Sequence, residues 1–341
     1  MTIVLDGQGG DYPEQAVLGA IKAVNKHKDL EIIICGKAEE INKVLSDNYK
    51  GDKITVCDCR EVITNNDIPT IAVRQKKDSS MVKAIRMAKE DDSIDGVVSS
   101  GNTGALLTAS LFIAKRIKGI SRPCLAPSLP TAVDGKCFVL VDCGANADCK
   151  PANLQHFAIM GSCYMQSLYG INNPTVAILS NGQEKGKGNE LVKETYPILE
   201  ATPSINFVGN VEARDILFGN YDVVVSDGFT GNAVLKTIEG TALCVMKMIK
   251  ESIKNGSILQ KIGGLLIKPA VKKLKSTMDV NEQAGGTVLG VDEIIVKAHG
   301  SSKEASICRC IEQTMQLANN NILARIKEDL SGLVDLEDNN D

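Results

Sequence analysis

The sequence contains no tryptophan, and its six tyrosines and six phenylalanines make up only 4% of 341 residues. Basic side chains are outnumbered 38 to 42, for a formal net charge of −4. A chain this poor in stacking rings and in positive field lacks what nucleic-acid binding needs, so nucleic acid is set aside as the principal ligand. Long apolar runs are also missing. The most apolar segment, Ala105 to Ala114, falls well short of the roughly 20 residues that cross a bilayer. The opening Met1-Thr2-Ile3-Val4-Leu5-Asp6 has no basic region ahead of an apolar stretch, and it reads as a first strand rather than a signal peptide. Histidine is limited to three residues, and the eleven cysteines include the C-x-C pairs Cys57/Cys59 and Cys308/Cys310 but no C-x-x-C. Zinc spacing is absent, so no metal is expected, and the cysteines read as buried, reduced thiols of a cytoplasmic protein.

What is present is alternation. Short β-branched runs (Ile3 to Leu5, Glu31 to Cys35, Lys53 to Cys57, Gly96 to Ser99, Phe138 to Val141, Val176 to Leu179, Ile205 to Val208, Asp222 to Val225) are separated by segments of helical period. The helices include Pro13 to His27, Met81 to Lys89, Gly104 to Lys118, Asn153 to Tyr169 and Glu190 to Leu199. Apolar runs this continuous suit strands buried on both faces, so the fold class is α/β: a mostly parallel sheet between two helix layers. Residues 1–330 form one catalytic unit in this reading, with a subdivision near residue 150 permitted but not required.

Two stretches break the alternation. Over about 236–280 the helical period runs long, broken near Asn255-Gly256-Ser257 and again around Gly263-Gly264 and Pro269, which predicts a projecting helical hairpin. Between residues 247 and 275 eight lysines face one acid, Glu251, a local charge of +7. Ile262, Leu265, Leu266 and Ile267 lie between Lys261 and Lys268 in its turn region. The last fourteen residues carry six acids and no base, and 331–341 is expected to be a solvated, partly disordered tail.

Chemistry is expected beyond the carboxyl ends of the strands, where helix N-termini offer free N–H groups. Small and polar loops follow five strands: Asp6-Gly7-Gln8-Gly9-Gly10-Asp11, Gly101-Asn102-Thr103-Gly104, Asp142 to Asp148, Asn181 to Glu190, and Ser226 to Asn232. Any one is adequately explained as a tight turn with a cap. Five converging on one sheet edge argue for a site, with Gly101 to Gly104 as a phosphate cradle and Lys185 and Lys187 as unexpected cations among glycines. Arg74, Lys76 and Lys77 precede a helix and could line the path of an anionic substrate. His299, between an apolar run and Gly300-Ser301-Ser302, is a candidate acid, base or oxyanion donor. Cys143 has no base beside it and reads as a buried thiol rather than an acyl nucleophile.

These motifs resemble the PlsX family of bacterial phosphate acyltransferases. The likeness rests on Gly101-Asn102-Thr103-Gly104-Ala105, Asp142-Cys143-Gly144-Ala145-Asn146, Lys187-Gly188-Asn189-Glu190-Leu191, Asp227 to Asn232, Lys297-Ala298-His299-Gly300-Ser301-Ser302 and Arg74 with Lys76 to Met81. It runs in order from residue 3 to about 315. One departure is that the family usually has Asp-Ala-Met-Gly-Gly-Asp where this chain has Asp6-Gly7-Gln8-Gly9-Gly10-Asp11.

The resemblance implies a three-layer α/β/α fold akin to phosphotransacetylases and isopropylmalate dehydrogenases. It implies transfer of a long-chain acyl group from acyl carrier protein to inorganic phosphate, without a cofactor. It also implies a cytoplasmic homodimer acting peripherally at the membrane, upstream of a glycerol-3-phosphate acyltransferase. Phosphate is already an oxyanion nucleophile, so the site must bind it, aim it at the thioester and stabilise the tetrahedral oxyanion. On this reading Gly101, Asn102, Thr103, Gly104 and Lys187 bind phosphate. Asn146, Asn189, Asn232 and His299 polarise the carbonyl or protonate the leaving thiolate, and Gly9, Gly10, Asp11, Arg74, Lys76, Lys77 and Asp227 contact substrate. The hairpin helices suit a dimer interface, and the apolar tip with Lys261 and Lys268 a membrane contact. The competing readings are an acetyl- or butyryltransferase using acyl-CoA and a non-catalytic membrane scaffold.

Overall fold

The computed structural model describes residues 1–278 and 285–337. Parallel runs dominate, but they build two sheets rather than one. The first has seven strands in the order β3 (Ile54–Asp58), β2 (Glu31–Gly36), β1 (Thr2–Asp6), β4 (Ile94–Ser99), β12 (Ile295–Lys297), β11 (Gly286–Leu289), β5 (Cys124–Ala126). The second has five, in the order β6 (Ser128–Pro130), β7 (Cys137–Val141), β10 (Val223–Val225), β8 (Thr175–Ser180), β9 (Asn206–Glu212). Among the strands of the described residues, only pairs involving β11 and β6 are antiparallel. The chain crosses between sheets at Pro127 and returns at β11, and the three-residue strands flanking Pro127 are too short to show a period in sequence.

Period-two alternation explains the layers. On β1, Ile3 and Leu5 pack with α1 (Pro13–Lys26) and α10 (Glu304–Asn319), whereas Val4 faces α4 (Ser80–Glu90) on the other side. In the second sheet Val139, Val141, Val176 and Val223 join the first sheet's core through α6 (Pro151–Tyr169). Phe138, Leu140 and Val224 instead meet Leu235 of α8 (Gly228–Asn255). Helix α6 is apolar on nearly every side because both sheets' cores and α11 (Ile322–Glu337) close around it.

Several boundaries move. The helix expected to reach Lys118 is α5 (Thr103–Ala109) with one π turn over Ser110–Ala114, and it stops at Lys115, φ 67°, so that Arg116 can bridge to Val291. Among the described residues the hairpin breaks once, at Gly256-Ser257: α9 (Ile258–Met278) runs unbroken past Gly263, Gly264 and Pro269. Gly264 lets it close on α8, since a Cβ there would overlap Ile253 Cγ2. Leu265, Leu266 and Ile267 therefore lie along α9 rather than in the turn. The tail is largely helical. Just before it Leu330 is buried and Asp329 accepts a hydrogen bond from Cys163 Sγ at 3.2 Å, packing α11 onto α6, and the helix continues into the expected tail as far as Glu337. Residues 279–280 of the expected hairpin and 338–341 of the tail lie outside the described residues.

The altered first loop is accommodated locally. A Cβ at Gly7 would come within 2.6 Å of Ile34 Cγ2, and Gln8 donates from Nε2 to Glu40 Oε2 at 3.1 Å, tying the loop to α2 (Ala38–Asn48).

Candidate active site

Three adjacent strands, β1, β4 and β12, send their following loops to one edge, where backbone and buried polar atoms bind them together. Asp6 accepts from Gly9 N at 3.1 Å and from Ser99 Oγ at 2.6 Å, and Ser99 Oγ in turn accepts from Gly101 N at 3.1 Å. Ser100 Oγ donates to the Gly9 carbonyl at 2.8 Å, and Asp11 N to the Gly300 carbonyl at 2.8 Å. Gly10 takes φ +77° beside Gly300 O, a conformation and a proximity open only to glycine. Gly9, Gly10 and Asp11 thus hold the loop of Gly101 and that of Gly300 in place.

The second sheet contributes the loop after β7. The buried Asp142 carboxylate accepts from Leu125 N (2.9 Å), Ala145 N (3.2 Å), Asn146 N (2.7 Å) and Asn146 Nδ2 (2.9 Å). Burial raises its pKa, making it a weaker acid, and these four bonds partly oppose the shift. The helix that follows β10 is started by Asp227, which accepts from Thr230 N and Oγ1, each at 2.8 Å.

Between the two sheets lies a cavity of about 390 Å³. Thr103 and Gly104 at the start of α5 and Lys297 to His299 at the end of β12 line it from the first sheet; Cys143, Gly144 and, from α8, Asn232, Lys236 and Glu239 line it from the second. Leu107, Leu125 and Leu235 make its apolar wall. Lys236 pairs with Glu239 at 2.8 Å. Burial depresses Lys297 to about 8, and its Nζ donates to the Ala298 carbonyl. His299 is lowered as well, first by burial and then by the Lys297 and Lys236 charges. Ser301 N donates to His299 Nδ1 at 3.3 Å, so in the neutral ring the proton sits on Nε2, a hydrogen-bond donor. Burial pushes the Cys143 thiol well up, which suits packing and not nucleophilic attack.

The structure divides the residues expected from sequence. Thr103, Gly104, Asn232 and His299 meet in this cavity, together with Lys297, Lys236 and Glu239, which sequence reasoning did not single out. The signal was available for Lys297, a lysine at the end of a buried strand. Asn102 caps α5 by accepting from Ala105 N at 2.9 Å, and Gly104 gives room to Pro69 of α3 (Pro69–Gln75). Asn146 is spent behind the cavity: its Nδ2 donates to the Pro123 carbonyl at 2.7 Å and to Asp142. Asn189 and Asp227 line a second cavity of about 330 Å³ beside β8, where Asn189 caps α7 (Glu190–Glu200) by accepting from Val192 N. Lys187 is exposed above Gly182 and lines neither cavity. Arg74 and Lys77 are exposed, and Lys76 is held by Asp67 at 2.7 Å, which draws that carboxyl down to about 2. The five loops expected on one edge therefore occupy two, because β7, β8 and β10 belong to the second sheet.

Comparison with known proteins bears on the fold and the family. A family model described as fatty acid synthesis protein matches residues 1–325. A phosphate acyltransferase of Clostridium tetani is 46% identical over 334 residues, covering 97% of this chain and 98% of that protein. One of Bacillus cereus is 45% identical over 327 residues, covering 96% and 97%. Among solved structures, a phosphotransacetylase from Streptococcus pyogenes aligns with TM-score 0.62 at 18% identity over 94% of both chains. A branched-chain phosphotransacylase from Enterococcus faecalis aligns with TM-score 0.58 at 16% identity, over 93% of this chain and 99% of that one. At such identities the structural likeness establishes the α/β fold with mostly parallel sheets, while the full-length sequence matches establish more: the chain belongs to the phosphate acyltransferase family, enzymes of fatty acid and phospholipid synthesis whose substrates are an acyl donor and phosphate.

Proposed function

We propose that the acyl donor is a long-chain acyl thioester of acyl carrier protein and that the cavity between the sheets is where inorganic phosphate attacks it. The observation that carries this reading is the meeting of Lys236, Lys297, His299 and the α5 N-terminus with a leucine-lined wall in one cavity. Cations and free N–H groups suit a phosphate, and the wall suits an acyl chain. A phosphate oxygen bonds to the thioester carbon, and the carbonyl electrons move onto oxygen as a tetrahedral oxyanion. Collapse breaks the C–S bond, and the thiolate leaves to take up a proton. Neutral His299, with its proton on Nε2, and Asn232 are the donors suited to the oxyanion. Lys297, near 8, is matched to a thiol leaving group as proton donor.

The hairpin fits an acyl-lipid role. Leu259, Leu265 and Leu266 are 81%, 69% and 77% exposed beside Lys261 and Lys268, a combination suited to an anionic membrane surface. Exposed Leu243 and Met248 on α8 suit pairing with a second copy. Among the described residues no helix is long and apolar enough to cross a membrane. Leu266→Glu is expected to lower binding to anionic vesicles at least about tenfold while sparing activity on a soluble donor, because a buried charge costs far more than a lost leucine contact. Unchanged vesicle co-sedimentation would remove the hairpin's membrane role.

The donor is tested by mixing protein, palmitoyl carrier protein and phosphate, with palmitoyl-, butyryl- and acetyl-CoA in parallel, and detecting acyl phosphate by mass spectrometry. Acyl phosphate from the carrier-protein arm is expected. Product only from short acyl-CoA donors would favour an acetyl- or butyryltransferase, and phosphate-independent binding without cleavage would favour a scaffold.

A further inference from the structure

Four sulfur atoms from three elements meet at the outer edge of the seven-stranded sheet. In the parallel register of β2 with β3, Cys35 stands opposite Cys57. Side chains two residues apart on a strand share a face, so Cys59, one residue past the end of β3, comes to the same side. The three Sγ atoms all lie within 4.8 Å of one another. From the helix layer above them, Met87 of α4 brings its Sδ to 3.8 Å from Cys35 Sγ. Cys35 and Cys59 are buried, whereas Cys57 is half-buried and leaves a route to solvent.

Packing alone explains one or two thiols at a core position. Three converging thiols with a thioether are a donor set. Lys83, which donates to the Asp58 carbonyl at 2.7 Å, sets a cation beside Cys57 and Cys59.

We propose that Cys35, Cys57 and Cys59 form a binding site for a soft, thiophilic metal ion, copper(I), with Met87 Sδ as auxiliary ligand. Thiolate and thioether sulfur together select copper(I) among first-row ions. Metal–sulfur bonds of about 2.3 Å place the sulfurs of a trigonal site roughly 4 Å apart, so small rotamer adjustments suffice. Zinc is less well served, because it seeks four ligands and, among the described residues, no histidine or carboxylate joins this group. On binding, each ligating thiol gives its proton to solvent and the ion keeps its oxidation state. None of the four residues lines the active-site cavity.

The test is an anaerobic titration of the reduced full-length protein with copper(I) against a chromophoric copper(I) chelator. One tight equivalent is expected. Cys57→Ser should weaken it at least about 100-fold, more than the loss of an outer-sphere partner costs. Met87→Leu should weaken it less, and Cys308→Ser should leave it unchanged. Acyl transfer by metal-free Cys57→Ser is expected at the wild-type rate, which also checks its folding, and Cys59→Ala serves as an independent second variant. Absence of a tight equivalent, retention of wild-type affinity by both the Cys57 and Cys59 variants, or stoichiometric binding of zinc(II) without copper(I) would overturn the assignment.

Discussion

Replacing Lys297 by methionine is expected to lower kcat/KM for phosphate by about 100- to 1000-fold, the range for removing one preorganised charge-stabilising donor from an active site. Lys297 sits between the α5 and α8 walls of the cavity, and its depressed value of about 8 follows from burial first, with the Lys236 charge adding to it. A lysine is charged below its pKa, so at pH 7 the side chain carries its proton and at pH 9 it has largely lost it. Phosphate affinity should therefore fall as pH rises through 8, with KM climbing about tenfold per pH unit beyond it if only the charged form binds. The Met variant should lose that dependence. Lys297→Arg keeps its charge throughout and should show a flat KM at a reduced kcat, because a planar guanidinium cannot act as proton donor there. Steady-state kinetics from pH 7 to 10 check all three, and a Lys297→Met enzyme with wild-type kcat/KM would remove Lys297 from the site.

Gly231→Ala is expected to be the most damaging small change away from the reacting groups. A Cβ at this position in the first turn of α8 would overlap the carbonyl oxygen of Asp142. Backbone cannot rotate aside as a flexible side chain can, and four hydrogen bonds anchor the Asp142 carboxylate. The strain should cost about 3 kcal/mol, toward the upper end for overpacking. It should also abolish most activity, since the turns of helix that begin there carry Asn232 and Lys236. Gly240→Ala, on the same helix with nothing near its added methyl, should instead stabilise by about 0.5 to 1 kcal/mol from helix propensity. Urea denaturation of the two variants beside wild type gives the comparison, and equal stability of both would refute the packing argument.

The site was partly legible in advance. His299, Asn232, Thr103 and Gly104 follow strands in glycine-rich loops, and they do line one cavity. Lys187 drew attention because a lysine among glycines is unusual, yet it projects over Gly182 into solvent. Asn146 and Lys76 are ordinary polar residues in sequence, and only their partners, Asp142 with the Pro123 carbonyl and Asp67, reveal that they are occupied structurally. Lys297 and Lys236 went unmarked because a lysine's depressed pKa or place in a cavity wall depends on what surrounds it, not on its neighbours in the chain.

The sequence by itself determined the α/β class, most of the strands, the long basic helical pair and the family's loop motifs. Each is carried by local periodicity, by composition or by contiguous residues. The tertiary structure decided that the strands divide into two sheets, that the reactive loops face each other across a cavity between them, and that the C-terminal acids begin on a packed helix. It also brought Cys35 to Cys57 and Cys59, 22 and 24 positions further along the chain. Strand order, register and the partner a polar group finds depend on contacts between distant segments, and no local pattern encodes them.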